Sequence, residues 1–299
     1  MVLITGANGF LGYYLTDLLL KKGFTVLATG KGICRLPFES NPAFVYEQMD
    51  FTDPFTVHDI FEKYKPSIVI HAGAMSKPDD CELNQWECYV TNVEATLTLL
   101  ANAEDLKSFF LFISTDFVFD GERGMYAETD LPNPVNFYGK SKVDAEDAVK
   151  EYENDWAIVR TCLVYGKPAT GKQNILTIVK DKLEKKETYR VFDDQFRTPT
   201  YVEDLVSGIV SIIEKKAKGI YHLSGKNMIT PYLMAVAMAE YLKLDKSCLV
   251  KATAANFIQP AKRPPKTGLV IDKAKKELNF DPVSFEEGMR KTFDKGSCF

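Results

Sequence analysis

Val2-Leu3-Ile4-Thr5-Gly6-Ala7-Asn8-Gly9-Phe10-Leu11-Gly12 stands at the head of a chain of 299 residues. Its first four residues suit a strand, and three glycines follow at a spacing of three. A strand that enters a glycine turn and continues as a helix is the context in which a dinucleotide pyrophosphate is held. Gly6 permits the tight turn, Gly9 lets the backbone approach the phosphates, and Gly12 lets the helix pack closely on the strand. Asn8, Phe10 and Leu11 complete the turn and belong to the same expected cofactor site. The spacing GxxGxxG differs from the GxGxxG of ordinary dehydrogenases, and a glycine-rich turn without a ligand is the plain alternative.

Outward from this turn, apolar runs of strand length alternate with stretches of helical period, the pattern of successive βαβ units. Val2 to Thr5, Thr25 to Ala28, Ala43 to Glu47, Ser67 to His71, Phe109 to Ile113 and Trp156 to Arg160 read as strands. Residues 10–22, 54–64, 84–104 and 137–153 read as helices. The fold class expected is α/β: a doubly wound parallel sheet (Rossmann) with a smaller, mainly helical substrate domain. After Tyr165-Gly166 the rhythm changes, and a helix at 202–215 with a strand at 220–223 returns to the main sheet. The dinucleotide-binding domain is therefore expected over 1–165 plus about 199–225, and the substrate domain over about 166–198 plus 226–299. Pro260, Pro264, Pro265 and Pro282 break the last region into short pieces.

Composition narrows the function classes. Lys+Arg 37 against Asp+Glu 41 gives a net charge of -4, which offers no basic field for a nucleic-acid backbone. No apolar stretch approaches the roughly 20 residues of a membrane helix. The opening lacks the charged leader of a secretory signal, so a cytoplasmic protein is expected. The six cysteines (34, 81, 88, 162, 248, 298) show no CxxC or zinc spacing, and the histidines (58, 71, 222) join no carboxylate cluster. Reduced thiols and no metal are expected. The tail Gly296-Ser297-Cys298-Phe299 carries no prenylation pattern.

Further residues carry chemistry by type and place. The second strand ends without the acid that would bind the ribose 2′-hydroxyl of NAD; Lys31 and Arg35 would instead neutralise a 2′-phosphate and favour NADPH, or are two solvated loop cations. Asp50-Phe51 would receive the adenine, and Ala72-Gly73-Ala74 would border the nicotinamide. Ile113-Ser114-Thr115-Asp116 ends the fifth strand, at the sheet edge where such folds place ligands. Thr115 would hydrogen-bond a reacting carbonyl; Asp116 would orient a sugar hydroxyl or merely cap a loop. Tyr138-Gly139-Lys140-Ser141-Lys142 puts a phenol and an amine one helical turn apart. An ammonium stabilises a nearby phenolate, so Lys142 would bring Tyr138 into acid/base range, and both would also touch the cofactor.

These segments together resemble a family. GANGFLG (6–12), ISTDFVFDG (113–121), YGKSK (138–142) and RTCLVYG (160–166), in this order and spacing, are similar to the extended short-chain dehydrogenase/reductases. Within them the chain most resembles the dTDP-4-dehydrorhamnose reductases, and Arg197-Thr198-Pro199-Thr200 and Lys262-Arg263-Pro264 extend the likeness. The resemblance implies a catalytic set of Thr115, Tyr138 and Lys142, with NADPH or NADH as hydride donor. It implies a nucleotide-linked 4-keto-6-deoxysugar as substrate, with Asp116, Arg197 and Arg263 on the substrate side, and a homodimer. Arginine suits the bidentate grip of a diphosphate. Phe117 stands where related dehydratases carry a Glu, so elimination chemistry lacks its usual acid/base. Leu163 replaces a tryptophan common in the reductases, and the loop 74–82 also departs from their wording. Two alternatives stay open: another nucleotide-sugar epimerase or reductase of the superfamily, and a non-catalytic NADP-binding regulatory subunit resembling that of methionine adenosyltransferase.

Overall fold

Seven parallel strands form the central sheet in the computed structural model, which describes residues 1–169, 171 and 173–294. In chain order these are β1 (Val2–Thr5), β2 (Val26–Gly30), β3 (Phe44–Gln48), β4 (Ile68–His71), β5 (Phe109–Thr115) and β6 (Trp156–Thr161). β7 (Val164–Tyr165), β8 (Tyr189–Phe192) and β9 (Thr200–Tyr201) lie outside this sheet, and β10 (Gly219–His222) completes it. The order is β10-β6-β5-β4-β1-β2-β3, so the winding reverses between β1 and β4, where open α/β sheets form their ligand crevice. This is the doubly wound fold expected from the sequence.

Strand alternation explains the layers. Val2 and Ile4 of β1 face one side and Leu3 the other, each fully buried. On the first side, α1 (Phe10–Lys21) packs with the sheet through Leu15 and Leu19. On the second side lie α2 (Pro54–Tyr64), α5 (Ala95–Asp105) and α6 (Phe137–Lys150). Between α2 and α5 run α3 (Pro78–Leu83) and α4 (Gln85–Tyr89). The single helix expected over 84–104 is interrupted by a π turn at Val90–Glu94, a feature that often marks functional sites. Its cause here is a set of tertiary contacts: Asn92 turns inward and bonds to Met75 and Ser141.

A second, smaller core joins α7 (Ile175–Glu184), α9 (Pro231–Tyr241) and α11 (Phe285–Phe293). Before α9, α8 (Val202–Lys215) returns to the large body and packs on α1. The small body is not purely helical, since β8 pairs in parallel with β11 (Leu249–Ala252). That strand went unread because only its end residues are buried, which leaves no alternation to detect. A second correction concerns 271–280, which the sequence reading assigns to the smaller unit. Ile271, Ala274, Leu278 and Phe280 are buried in the main core, and α10 (Asp272–Leu278) packs on α8 and β10.

No helix among the described residues is long and apolar enough to cross a membrane. The five described cysteines are free. The tail Gly296 to Phe299, together with Cys298, lies outside the described residues.

Candidate active site

Thr115 is the last residue of β5, and Tyr138 is the second residue of α6. Gly139 decides how close the two come. A Cβ there would lie 2.2 Å from the backbone oxygen of Phe117, so only glycine lets α6 close onto the turn that follows β5. Asn136 caps α6 by accepting from Gly139 N at 2.8 Å. The result is that the Tyr138 and Thr115 hydroxyls come together, with the Phe117 ring edge-on to Tyr138 at 5.9 Å. Gly139→Ala is expected to displace Tyr138 and lower kcat about 100-fold while NADPH affinity changes little, measured by steady-state kinetics beside equilibrium cofactor titration.

Burial dominates the protonation of both catalytic candidates. It pushes the half-buried Tyr138 phenol above its ordinary value, against the pull of the Thr115 hydroxyl, so the lowering expected from Lys142 is outweighed by burial and the phenol holds its proton at neutral pH. It pushes the Lys142 amine down to about 7, while Glu146, one turn along α6, pulls it back up. The Lys142 Nζ sits 3.8 Å from the Phe112 ring centroid. Asn92, absent from the sequence-level candidates, locks this corner. It accepts from Met75 N at 2.8 Å and donates to Met75 O and to Ser141 Oγ, each at 3.0 Å, tying the loop after β4 to α6. An Asn inside an otherwise good helical stretch was the available signal.

The glycine turn has the shape of a phosphate cradle. Gly6 adopts φ +68°, and a Cβ on it would strike Gly73 Cα at 2.9 Å. A Cβ on Gly12 would lie 2.5 Å from Ala7 Cα, so the helix could not approach the strand. Gly9 is the N-cap of α1 and brings no side chain across the helix N-terminus, where anions are favoured. The residues present thus fit a dinucleotide. Asn8 organises the adjoining loop by accepting from Arg35 N at 2.9 Å and donating to Ile33 O at 3.0 Å. Phe10 and Leu11 pack against the main core.

Lys31 and Asp50, assigned to different ends of the adenosine, form an exposed ion pair at 3.0 Å. The exposed Arg35 reaches back to Asn8 O at 3.4 Å. Phe51 is a core residue, its ring lying edge-on to His71 at 5.4 Å and filling the space that a side chain on Gly73 would need. Ala72, Gly73 and Ala74 follow β4, with Gly73 N donating to Thr5 Oγ1 at 3.1 Å. His71 is buried between the Thr5 and Thr96 hydroxyls.

A cavity of about 510 Å³ opens beside this edge, lined by Phe117 and Leu163 and by the residues of β8. Leu163 holds a left-handed conformation, φ 39°, unusual for its residue type. Asp116, Arg197 and Arg263 all line the cavity, but each has a structural partner. The Arg197 guanidinium donates to the carbonyls of Phe196, Pro264 and Pro265 and to Gln195, and its Nε lies 3.7 Å from Asp116. Asp116 also accepts from Cys162 and Thr267. Burial pushes its carboxyl up while Arg197 pulls it down. Arg263 is clamped bidentately by Asp79, at 3.0 and 2.9 Å. Asp79 lies in the first turn of α3, within the segment 74–82 whose wording departs from the family, and it also accepts from Ala261 N, so that departure serves a clasp between α3 and the chain around Arg263.

Comparison with known proteins follows the same lines. A family model described as the RmlD substrate binding domain matches residues 1–298. Methionine adenosyltransferase 2 subunit beta from Bos taurus is 34% identical over 269 residues, covering 88% of this chain and 78% of that protein. A dTDP-4-dehydrorhamnose reductase from Clostridium acetobutylicum superposes with a TM-score of 0.85 at 28% identity, covering 98% of each chain. The dTDP-4-dehydrorhamnose reductase from Bacillus anthracis, solved in complex with NADP, gives a TM-score of 0.84 at 28% identity over 98% of each chain.

Proposed function

The chain belongs to the RmlD substrate binding domain family, and from that membership we propose that it reduces the 4-keto group of a nucleotide-linked deoxysugar with NADPH, or NADH. The observation that carries this reading is the meeting of Thr115 and Tyr138 at the carboxyl edge of the sheet, one turn from Lys142 and next to Asp116 and Phe117, which line the cavity. Tyr138 donates its proton to the carbonyl oxygen as negative charge builds there, and Thr115 hydrogen-bonds the same oxygen. A phenol kept protonated by burial suits the reductive direction. Lys142 supports the phenolate left behind. Gly6, Gly9 and Gly12 hold the pyrophosphate with Asn8, Phe10 and Leu11 around it, and Ala72 to Ala74 border the ring; when bound, the nicotinamide supplies the hydride. Arg35 and Lys31 together read a 2′-phosphate, in keeping with the NADP bound in the relative from Bacillus anthracis. Asp116 and Arg197 form the wall against which the sugar is placed.

The experiment is cofactor consumption by the purified chain with NADPH and a dTDP-4-keto-6-deoxysugar, alongside a panel of other nucleotide sugars. Turnover with a keto-sugar is the expected result. A second reading, an NADP-binding regulatory subunit, is favoured by the 34% identity to methionine adenosyltransferase 2 subunit beta. NADPH binding without consumption across the panel, with stable capture of a methionine adenosyltransferase, would establish that reading instead.

A further inference from the structure

Three arginines line the cavity between the two bodies, and they differ in what their donors already hold. A guanidinium has five N–H donors and no acceptor. Arg197 donates to four carbonyl oxygens, counting the Gln195 amide, and its Nε lies 3.7 Å from Asp116, in a side chain only 4% exposed. Arg263 gives one edge to both carboxylate oxygens of Asp79 and a further bond to Ala261 O. Arg190 is different: it is exposed, and its side chain has no hydrogen bond or ion pair among the described residues.

Strand geometry fixes where Arg190 points. Alternate residues of a strand face opposite ways. Val191 of β8 is buried in the small core with Leu176 and Met234, so Arg190 and Phe192 lie on the other face, and all four residues of β8 border the cavity. Phe192 meets Phe257 edge-on at 5.7 Å, placing an aromatic wall beside the free cation. A planar cation next to aromatic rings fits an anion carried on a flat, largely apolar group better than a free phosphate.

We infer that Arg190 is the residue that grips the diphosphate of a nucleotide-linked substrate, with Phe192 and Phe257 flanking the base, while Arg197 and Arg263 shape the cavity walls. This rests on the nucleotide-sugar reading above. It moves the anion grip from the two arginines singled out in the sequence to one that was not. Arg190 acts in binding and does not reach the reacting carbonyl, so its loss is read in affinity and KM.

The test is calorimetric binding of thymidine 5′-diphosphate and uridine 5′-diphosphate to the full chain, with thymidine as the probe lacking phosphate. Arg190→Gln is expected to weaken nucleoside diphosphate binding about 10- to 100-fold, the worth of a hydrogen bond to a charged group, and to leave thymidine binding unchanged. KM for the sugar nucleotide rises by a similar factor while kcat stays within about threefold. Arg190→Lys recovers part of the affinity, since it restores charge without the fork. Binding of the diphosphates by Arg190→Gln within about twofold of the parent chain, with the parent binding them well, would overturn the assignment and leave the nucleotide-sugar reading standing. Failure of the parent chain to bind either diphosphate would overturn both.

Discussion

Tyr138→Phe should lower kcat for keto-sugar reduction by about 100- to 10,000-fold, the range over which a positioned general acid contributes. The variant keeps the ring, so the edge-on contact with Phe117 and the packing of α6 survive and only the proton donor is lost. Thr115 cannot take over. Its hydroxyl already receives Phe117 N at 3.2 Å and lies 3.2 Å from Asp116 Oδ1, and an aliphatic hydroxyl is a far weaker acid than a phenol. NADPH affinity should hold within about threefold, because the glycine turn is untouched. The check is single-turnover reduction with cofactor titration on the same preparation. Activity within about tenfold of the parent chain would mean that another group delivers the proton.

Glu146→Ala should cost about 3–5 kcal/mol of folding stability, the usual penalty for stranding one member of a buried ion pair. Glu146 is 0% exposed and Arg160 1%. Their contact is bidentate, with Arg160 Nε at 2.9 Å from Oε1 and Nη2 at 2.6 Å from Oε2, and Ser114 Oγ donates to the same carboxylate at 2.5 Å. Three elements, β5, β6 and α6, are thus joined beneath the catalytic residues. Without the carboxylate, Arg160 keeps its charge and its contact with the Phe119 ring at 5.1 Å but loses its counter-ion. Urea denaturation followed by circular dichroism provides the measurement. Adding Arg160→Met to Glu146→Ala should restore most of the loss, as apolar replacements of buried pairs often do. A single variant within about 1 kcal/mol of the parent, the value of an exposed pair, would show that the pair does not hold these elements together.

Much of the fold could be read from short-range pattern. Each central strand carries its own alternation or apolar run, and the glycine turn announces the first βα unit within twelve residues. Tyr138 and Lys142 are separated by one helical turn, so their shared face follows from local geometry. What escaped the sequence is long-range. Arg263 meets Asp79 across 184 residues, and Arg197 meets Pro264 across 67, so an arginine that looked available for a ligand was already committed. Charge is visible in a sequence, whereas its partner is not. The π turn at Asn92 was hidden for a similar reason, since the groups that draw it inward are the Met75 backbone in the loop after β4 and the Ser141 hydroxyl on α6. Phe51 follows a strand, and its ring packs in the core because Gly73 leaves it room, a contact across 22 residues that the sequence does not display.

The path of the backbone between the two bodies carries a mechanical consequence. The small core draws on 175–184, 231–241 and 285–293, while 202–215 and 271–280 lie between those stretches and pack on the large one. The lobes are therefore stitched together by several passes of the chain, and a jaw so sewn travels little. Much of the disorder that two loosely tethered lobes would surrender on closing around a guest has been given up in advance, when the protein folded.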